Sequence, residues 1–269
     1  MNLRRSVRVA FLPSPNGAGL RQRSALVGIL LVGLLGSAVA GQDSGLDLLH
    51  RMQQALGGAN KIAAIRDYEE TVNAQTWTHA GKPIGTVVKR TRWIRPNYLR
   101  LDQVGPGDTY VLYFDGTSGW EVLPDKGFLA LAGGELEFAK RYLSGFTLNT
   151  LLADRLSGYT VSSPEPNVLR IVPDGEPGGD TILDPTTWLP VSSRGVSLAE
   201  PDHPVPATMR FDRWKRVQGV MFATRRRNFH SGDLLADITS TDVKLNSGMK
   251  VQDLALKPSD LKPVMSGPR

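Results

Sequence analysis

The sequence has no cysteine among its 269 residues and only four histidines. A chain without cysteine cannot build a disulfide framework, so its stability must come from a packed core. It also offers no cysteine for a lipid anchor. The histidines, at positions 50, 79, 203 and 230, show neither the HExxH pattern nor a paired spacing, which argues against a histidine-based metal site. We therefore expect neither a metal nor a cofactor.

Motifs for a catalytic centre are scarce as well. Ser247 and Lys250 match the S-x-x-K pattern of penicillin-recognising enzymes, but they lie in a glycine turn and no companion motif is present. Glu69 and Glu70 are neighbours on an expected strand and therefore point to opposite faces, which is poor geometry for a pair of carboxylates. Because no nucleophile and base can be paired, the sequence favours a protein that is not an enzyme.

The first 40 residues are typical of an export signal. Five arginines and no acid precede an apolar run from position 25 to 35, and Ala38-Val39-Ala40 has the small-residue pattern that a signal peptidase reads. The apolar stretch up to Ala40 is 16 residues long, shorter than the ~20 residues of a membrane-spanning helix. We predict a Sec-type signal peptide cleaved after Ala40, rather than an anchor helix, and a periplasmic or secreted protein.

Most of the excess positive charge lies in that segment. The whole chain has 32 basic and 26 acidic residues, a net charge of +6. Without its first 40 residues the net charge is +1, which is not the basic footprint of nucleic-acid binding. We expect no nucleic-acid partner. Residues 41–269 are long enough for a single domain, with a short flexible tail at the C-terminus.

Helical signals are confined to two regions, and the rest of the chain has the pattern of strands. Ser44 to Leu56 has a capping serine, an acid in its first turn and two glycines after it. From Asp67 onward apolar and polar residues alternate, which predicts about ten antiparallel strands. Helical spacing returns between about positions 134 and 155. The predicted fold class is therefore α+β, mainly antiparallel β.

A hairpin is predicted from Thr181 to Ser193. Asp184-Pro-Thr-Thr187 is a turn signal between two short apolar runs. Pro190 removes one amide donor, so the returning strand lies at an edge or is broken there. We expect Trp188 and Leu189 to lie on this strand and to face opposite sides of the sheet.

Five short motifs follow one another between Ser44 and Pro258. They are R-P-N-Y-L-R at 95–100, F-D-G-T-S-G-W at 114–120, L-D-P-T-T-W-L-P at 183–190, V-Q-G-V at 217–220 and the late Asn246. With the export signal and the Gly-Gly helix end, they resemble the periplasmic lipoprotein-carrier superfamily of LolA-type and LolB-type carriers and outer-membrane lipoprotein-sorting-like proteins.

The resemblance implies a strongly curved, unclosed half-barrel sheet. The N-terminal and mid-chain helices would cover its concave face, over an apolar concavity that takes acyl chains. In the carriers an arginine in an early strand is important for ligand release, and four arginines here lie near that region: Arg90, Arg92, Arg95 and Arg100.

Candidate ligand contacts follow from this architecture, since a curved sheet encloses a cavity wherever the helices do not fill it. The apolar and aromatic candidates for its wall are Leu49, Met52, Tyr68, Val72, Trp93, Leu99, Leu101, Tyr110, Leu112, Trp120, Trp188, Met209 and Phe211. The candidates for contact with lipid head groups or an acidic partner are Arg92, Arg100, Arg225 and Arg227. The last two can equally form a solvated edge that discourages aggregation.

Three functions remain open on the sequence alone. The favoured one is a monomeric periplasmic binding or carrier protein for a hydrophobic ligand, either a lipid or the acyl chains of a lipoprotein, with envelope membrane proteins as further candidate partners. The second is a non-enzymatic interaction or sensor domain of the cell envelope with the same fold and a filled core. A hydrolase is the third. An apolar cavity of several hundred Å³, on the order of known ligand pockets, would separate the first from the second.

Overall fold

The computed structural model describes residues 44–105, 108–123, 127–176, 178–197 and 205–258. The predicted signal peptide with its cleavage after Ala40 lies outside these residues, and so does the predicted tail beyond position 258.

Within the described residues, thirteen strands form one antiparallel sheet. They are β1 (Asp67–Trp77), β2 (Pro83–Ile94), β3 (Tyr98–Gly105), β4 (Asp108–Phe114), β5 (Gly119–Leu123), β6 (Gly127–Ala130), β7 (Tyr159–Glu165), β8 (Val168–Pro173), β9 (Gly179–Leu183), β10 (Pro190–Ser197), β11 (Val205–Val217), β12 (Val220–His230) and β13 (Asp233–Leu245). Their order is β6-β5-β4-β3-β2-β1-β13-β12-β11-β10-β9-β8-β7. The chain runs outward from β1 to β6, then returns from the other edge until β13 pairs with β1.

The sheet is strongly curved, because strands far apart in its order share one core. Leu112 of β4 and Leu169 of β8 are both fully buried in the same apolar cluster. In a flat sheet the nine strand spacings between them would separate these residues by roughly 43 Å. The edge strands β6 and β7 do not pair, so the sheet is unclosed. The predicted curved, mainly antiparallel α+β fold is confirmed, with thirteen strands instead of about ten.

Helices α1 (Gly45–Ala55) and α2 (Ala59–Ala63) precede the sheet, whereas α3 (Gly133–Ser144) and α4 (Thr147–Thr150) connect its two edges. Ser44 and Asp47 cap α1 reciprocally, since the Asp47 amide donates to Ser44 Oγ and the Ser44 amide donates to Asp47 Oδ2, both at 3.1 Å. Leu48 and Leu49 are fully buried on its inner face. The predicted N-terminal helix and its cap are thus confirmed, and it packs inside the curve of the sheet.

A fifth helix, α5 (Val251–Ala255), lies on the convex face and was not expected from the sequence. Its Leu254 is fully buried in a cluster with Val111, Tyr113, Trp120 and Val122. Arg100 ties the helix down, because its Nη1 donates to the carbonyl oxygen of Leu254 at 3.0 Å. The convex face therefore carries a small core of its own.

The hairpin at Thr181–Ser193 has a longer turn than the sequence predicted. β9 ends at Leu183 and β10 begins only at Pro190. Trp188 has a left-handed backbone with φ of 59°, and its amide donates to the Asp184 carbonyl at 2.8 Å. The expectation that Trp188 and Leu189 lie on a strand was wrong, because both residues form hydrogen bonds with the Asp184 backbone and so belong to the turn.

Candidate functional site: a cavity under the mid-chain helices

A cavity of about 290 Å³ lies between the concave face of the sheet and the segment containing α3 and α4. Helix α1 and the residue after it contribute Met52 and Leu56 to its wall, and the segment from α3 to α4 contributes Tyr142, Phe146 and Leu148 among others. Strands from both halves of the sheet complete the wall. This volume is near the lower end of the ~300–1,000 Å³ typical of small-molecule sites.

The structure distributes the thirteen predicted cavity residues over three places. Five line the cavity: Met52, Tyr68, Val72, Met209 and Phe211. Seven belong to the main apolar core or pack against it: Leu49, Trp93, Leu99, Leu101, Tyr110, Leu112 and Trp188. Trp120 belongs to the convex cluster beneath α5. Contact of any of them with a ligand remains a prediction.

Two of the predicted head-group arginines, Arg92 and Arg100, share one carboxylate. Arg92 Nη2 donates to Asp102 Oδ2, and Arg100 Nη2 lies 3.0 Å from Asp102 Oδ1. The guanidinium of Arg100 also lies 5.5 Å from the centre of the Trp120 ring. These contacts bind strands β2 and β3 to each other and to α5.

The other two, Arg225 and Arg227, form cross-strand ion pairs. Arg225 Nη2 lies 2.6 Å from Asp237 Oδ2, and Arg227 Nη2 lies 3.0 Å from Asp212 Oδ2. Hydrogen bonding to Asp237 raises the pKa of Arg225. Each of these arginines thus already has a carboxylate beside it. Their contact with a lipid head group or a protein partner stays a prediction.

Arg226 points the opposite way and lines the cavity. Its Nη2 lies 2.7 Å from Oε1 of Glu70, a buried cavity residue on β1 that also accepts a hydrogen bond from Ser240. Burial opposes the charge on Arg226, but the charge and hydrogen bond of Glu70, together with the neighbouring tyrosines, outweigh burial and raise the pKa of Arg226. The cavity wall therefore contains a charged pair that is not among the site residues predicted from the sequence.

Tyr68 sits beside this pair. Burial, reinforced by the charge of Glu70, raises the pKa of Tyr68 well above its usual value, so its hydroxyl stays protonated. Its ring stacks on Phe222 at 5.8 Å and meets Phe146 edge-on at 5.9 Å. Aromatic contacts thus join strands β1 and β12 to the segment between α3 and α4.

Lys89 on β2 contributes a second cation to the cavity wall. Its Nζ lies 3.5 Å from the hydroxyl of Tyr142 and 5.2 Å from the centre of that ring, a cation–π distance. Tyr142 in turn stacks near Phe146, which packs on Trp93 at 5.3 Å. This chain of contacts connects β2 to α3 across the cavity.

Ser193 on β10 also lines the cavity and is only 6% exposed. Its hydroxyl has no hydrogen-bond partner among the described residues. Alternation along β1, β10 and β12 could have identified Ser193, Glu70 and Arg226 as inward-facing, but only once the concave face was known.

Ser247, which matches the first position of the S-x-x-K pattern, has a structural role in a turn. The Ser247 hydroxyl and amide donate to Asp67 Oδ1 at 2.8 and 2.7 Å, and the Gly248 amide donates to Asp67 Oδ2 at 3.0 Å. Lys250 is exposed at the start of α5. Ser247 therefore fixes the chain after β13 to the start of β1.

Two further kinds of feature are absent from the described part of the chain. No cluster of three or more histidine or acidic side chains there is arranged to hold a metal ion. None of the helices in that part has the length and apolar character needed to cross a membrane.

No protein-family model matches the sequence, and no curated protein matches it significantly. Solved structures do match. A LolA superfamily protein from Nitrosomonas europaea aligns with a TM-score of 0.53 at 12% identity, over 80% of this chain and 98% of its own. A domain named for outer membrane lipoprotein sorting, from Vibrio parahaemolyticus, aligns with a TM-score of 0.51 at 15% identity, over 78% and 95%.

A DUF1329 family protein from Desulfovibrio piger also aligns, with a TM-score of 0.51 at 14% identity, over 77% of this chain and 93% of its own. Each of these three structures aligns with this chain over almost its own full length. The resemblance noted in the sequence is therefore confirmed at the level of architecture: the chain has the LolA-like fold.

Proposed function

We propose that this protein binds and carries a hydrophobic ligand whose acyl portion occupies the cavity under α3 and α4. The observation that supports this most is the cavity of about 290 Å³, walled by apolar and aromatic side chains from both halves of the sheet. Burying an acyl chain there would remove apolar surface from water, at roughly 25 cal/mol per Å².

The compartment belongs to the same proposal. The N-terminal sequence is typical of a cleaved export signal, and one protein of similar fold is named for outer membrane lipoprotein sorting. We place the mature protein in the periplasm, acting as a monomer without catalytic activity. Its cargo would be a lipid or the acyl chains of a lipoprotein, exchanged with envelope membrane proteins.

An interaction or sensor domain with a filled core is the competing function. One observation favours it: seven of the thirteen predicted cavity residues do not line the cavity and lie in or against the packed core around α1, where Leu48 and Leu49 are fully buried. The two functions differ in whether the remaining cavity holds a ligand in cells.

Native mass spectrometry of the full chain, expressed with its own signal and purified without detergent, tests the proposal. We expect a co-purified lipid mass, and displacement of an environment-sensitive acyl probe by added fatty acid. Protein that carries no lipid and binds no probe would contradict the carrier function and favour the interaction domain.

A further inference from the structure

The charges of the cavity wall cancel. Three of its side chains are cations and three are anions: Lys89, Arg141, Arg226, Glu70, Glu176 and Asp180. Each carboxylate lies within 3.0 Å of an arginine nitrogen, in the pairs Glu70–Arg226, Glu176–Arg141 and Asp180–Arg170. Lys89 contacts the hydroxyl and the ring of Tyr142. A charged ligand would have to break one of these contacts or stay uncompensated in the cavity, which is costly. The wall therefore favours an uncharged ligand.

One polar group of the wall is left without a partner. Ser193 is 6% exposed, and among the described wall residues its Oγ is the one buried side-chain polar atom that makes no hydrogen bond. A serine hydroxyl can donate one hydrogen bond and accept others. Leaving both unmade in a buried place destabilises the protein. An oxygen atom of a ligand beside Ser193 would complete the hydrogen bonding that the fold leaves open.

Ser193 lies beside the first of three β11 residues that line the cavity. Its two partners in the sheet, Thr181 on β9 and Met209 on β11, are both wall residues, so its side chain shares their concave face. Further along β11, Phe211 and Trp214 line the same cavity. Trp214 is five residues beyond Met209, roughly 17 Å along the strand. A volume of about 290 Å³ along this length is narrow, and it suits one alkyl chain.

We propose that the natural ligand is an uncharged single-chain amphiphile with one hydrogen-bonding oxygen, either a hydroxyl or an ester carbonyl, placed at Ser193. Ser193 Oγ donates to this oxygen, and where the ligand has a hydroxyl it can accept a hydrogen bond in return. The alkyl chain extends along β11, past Phe211 toward Trp214. This assignment rests on the proposed carrier function and adds the chemical class of its ligand.

Calorimetric titration of the full mature chain with eight-carbon ligands tests the charge of the ligand. The uncharged probes are octan-1-ol and methyl octanoate. The charged probes are octanoate and octylammonium, used at pH 7.5, where both are ionised. We expect each uncharged probe to bind at least tenfold more tightly than either ion. The ions bring a charge that the wall does not balance, so they bind through their chains alone.

Ser193→Ala locates the polar oxygen. The variant should weaken the binding of octan-1-ol and of methyl octanoate about fivefold, as the loss of one hydrogen bond does. Octane is the matched ligand without oxygen, measured by displacement of an environment-sensitive acyl probe, and its binding should not change. Because the hydroxyl has no partner among the described residues, the melting temperature should not fall, and a clear fall would count against a free hydroxyl in the cavity.

Ser197→Ala is the matched control. Ser197 is a buried serine on the same strand, and it is not among the residues that line the cavity. Its replacement should leave the affinities for octan-1-ol and for octane as they are in the wild type. An effect on octan-1-ol equal to that of Ser193→Ala would show that the hydrogen bond to the ligand is not specific to Ser193.

The outcomes separate the two proposals. If octanoate or octylammonium binds the wild type as tightly as octan-1-ol, the uncharged class is refuted while the carrier function stands. If Ser193→Ala weakens octan-1-ol and octane equally, or weakens neither, the placement of the polar oxygen at Ser193 is overturned. If the wild type binds none of the five ligands and no acyl probe, the carrier function itself fails.

Discussion

Glu70 and Arg226 are separated by 156 residues in the chain and meet with 2.7 Å between Oε1 and Nη2. Glu70 belongs to β1 and Arg226 to β12, so their contact reaches across the intervening strand β13. Ser240 of β13 donates to the same carboxylate. Three adjacent strands are therefore joined by one polar cluster at the place where the two halves of the sheet meet.

Removing one partner of this pair should destabilise the fold. Glu70→Ala leaves the largely buried Arg226, whose side chain is 23% exposed, without its carboxylate, and we expect a loss of about 3 kcal/mol in the free energy of unfolding. Urea denaturation of both single variants and the double variant measures the coupling. The neighbouring Glu69→Ala is the control, with a loss of about 1 kcal/mol, because Arg90 and Lys244 beside it are half-exposed. Equal losses at both positions would contradict this account.

The inner face of α1 should matter far more than its outer face. Leu49→Ala removes a fully buried side chain from the main core, and we expect a loss of 2–5 kcal/mol, roughly the range for such cavities. Leu46 on the same helix is 47% exposed, so Leu46→Ala should change stability by no more than about 0.5 kcal/mol. Thermal unfolding of the two variants checks this, and similar melting temperatures would place α1 outside the core.

The close packing of α1 against β7 depends on Gly45. A Cβ atom at this position would lie 2.4 Å from the Cα of Ser162, which is backbone and cannot turn away. We expect Gly45→Ala to destabilise by about 1–3 kcal/mol, as overpacking does. Gly134 in the first turn of α3 has open space around it, so Gly134→Ala should raise stability by about 0.5 kcal/mol. A neutral Gly45→Ala in the same chemical denaturation series would contradict the contact.

Asp115 should contribute a defined part of the acid sensitivity. Partial burial opposes its charge, but hydrogen bonds from the amides and hydroxyls of Thr117 and Ser118 outweigh burial and lower the pKa of Asp115 to about 2. The folded pKa lies below the ordinary 3.8, so this stabilisation is present above about pH 4 and is lost as the pH falls toward 2. Asp115→Asn should show a smaller loss of melting temperature between pH 5 and pH 2 than the wild type. Identical slopes would refute the role of this turn.

Features governed by local chemistry could be predicted from the sequence. The cap of α1 needs only Ser44 and Asp47, three residues apart, and it forms as expected. Alternation likewise placed Glu69 and Glu70 on opposite faces, and the structure has Glu69 paired with Arg90 and Glu70 in the cavity.

Features that depend on distant pairing could not be predicted. Alternation along a strand separates Arg226 from Arg225 and Arg227, but which of them faces inward depends on the pairing of β12 with β13 and on the direction of curvature. Trp120 lies on the convex side beneath α5, a five-residue helix with no side-chain cap to reveal it. The site residues that were not predicted are polar residues on an otherwise apolar face of the sheet. They can be recognised as cavity residues only when it is known which face of the sheet is concave.

The most direct test of the carrier function fills the cavity. Val72 lines it and is 4% exposed, whereas Val88 on the adjoining strand is 42% exposed and points outward. Phenylalanine is well tolerated in strands, so Val72→Phe and Val88→Phe form a matched pair. Titrating both folded variants with dodecanoate, we predict that Val72→Phe weakens binding about tenfold or more while Val88→Phe binds like the wild type. Unchanged binding by Val72→Phe would contradict the assignment of the ligand to this cavity.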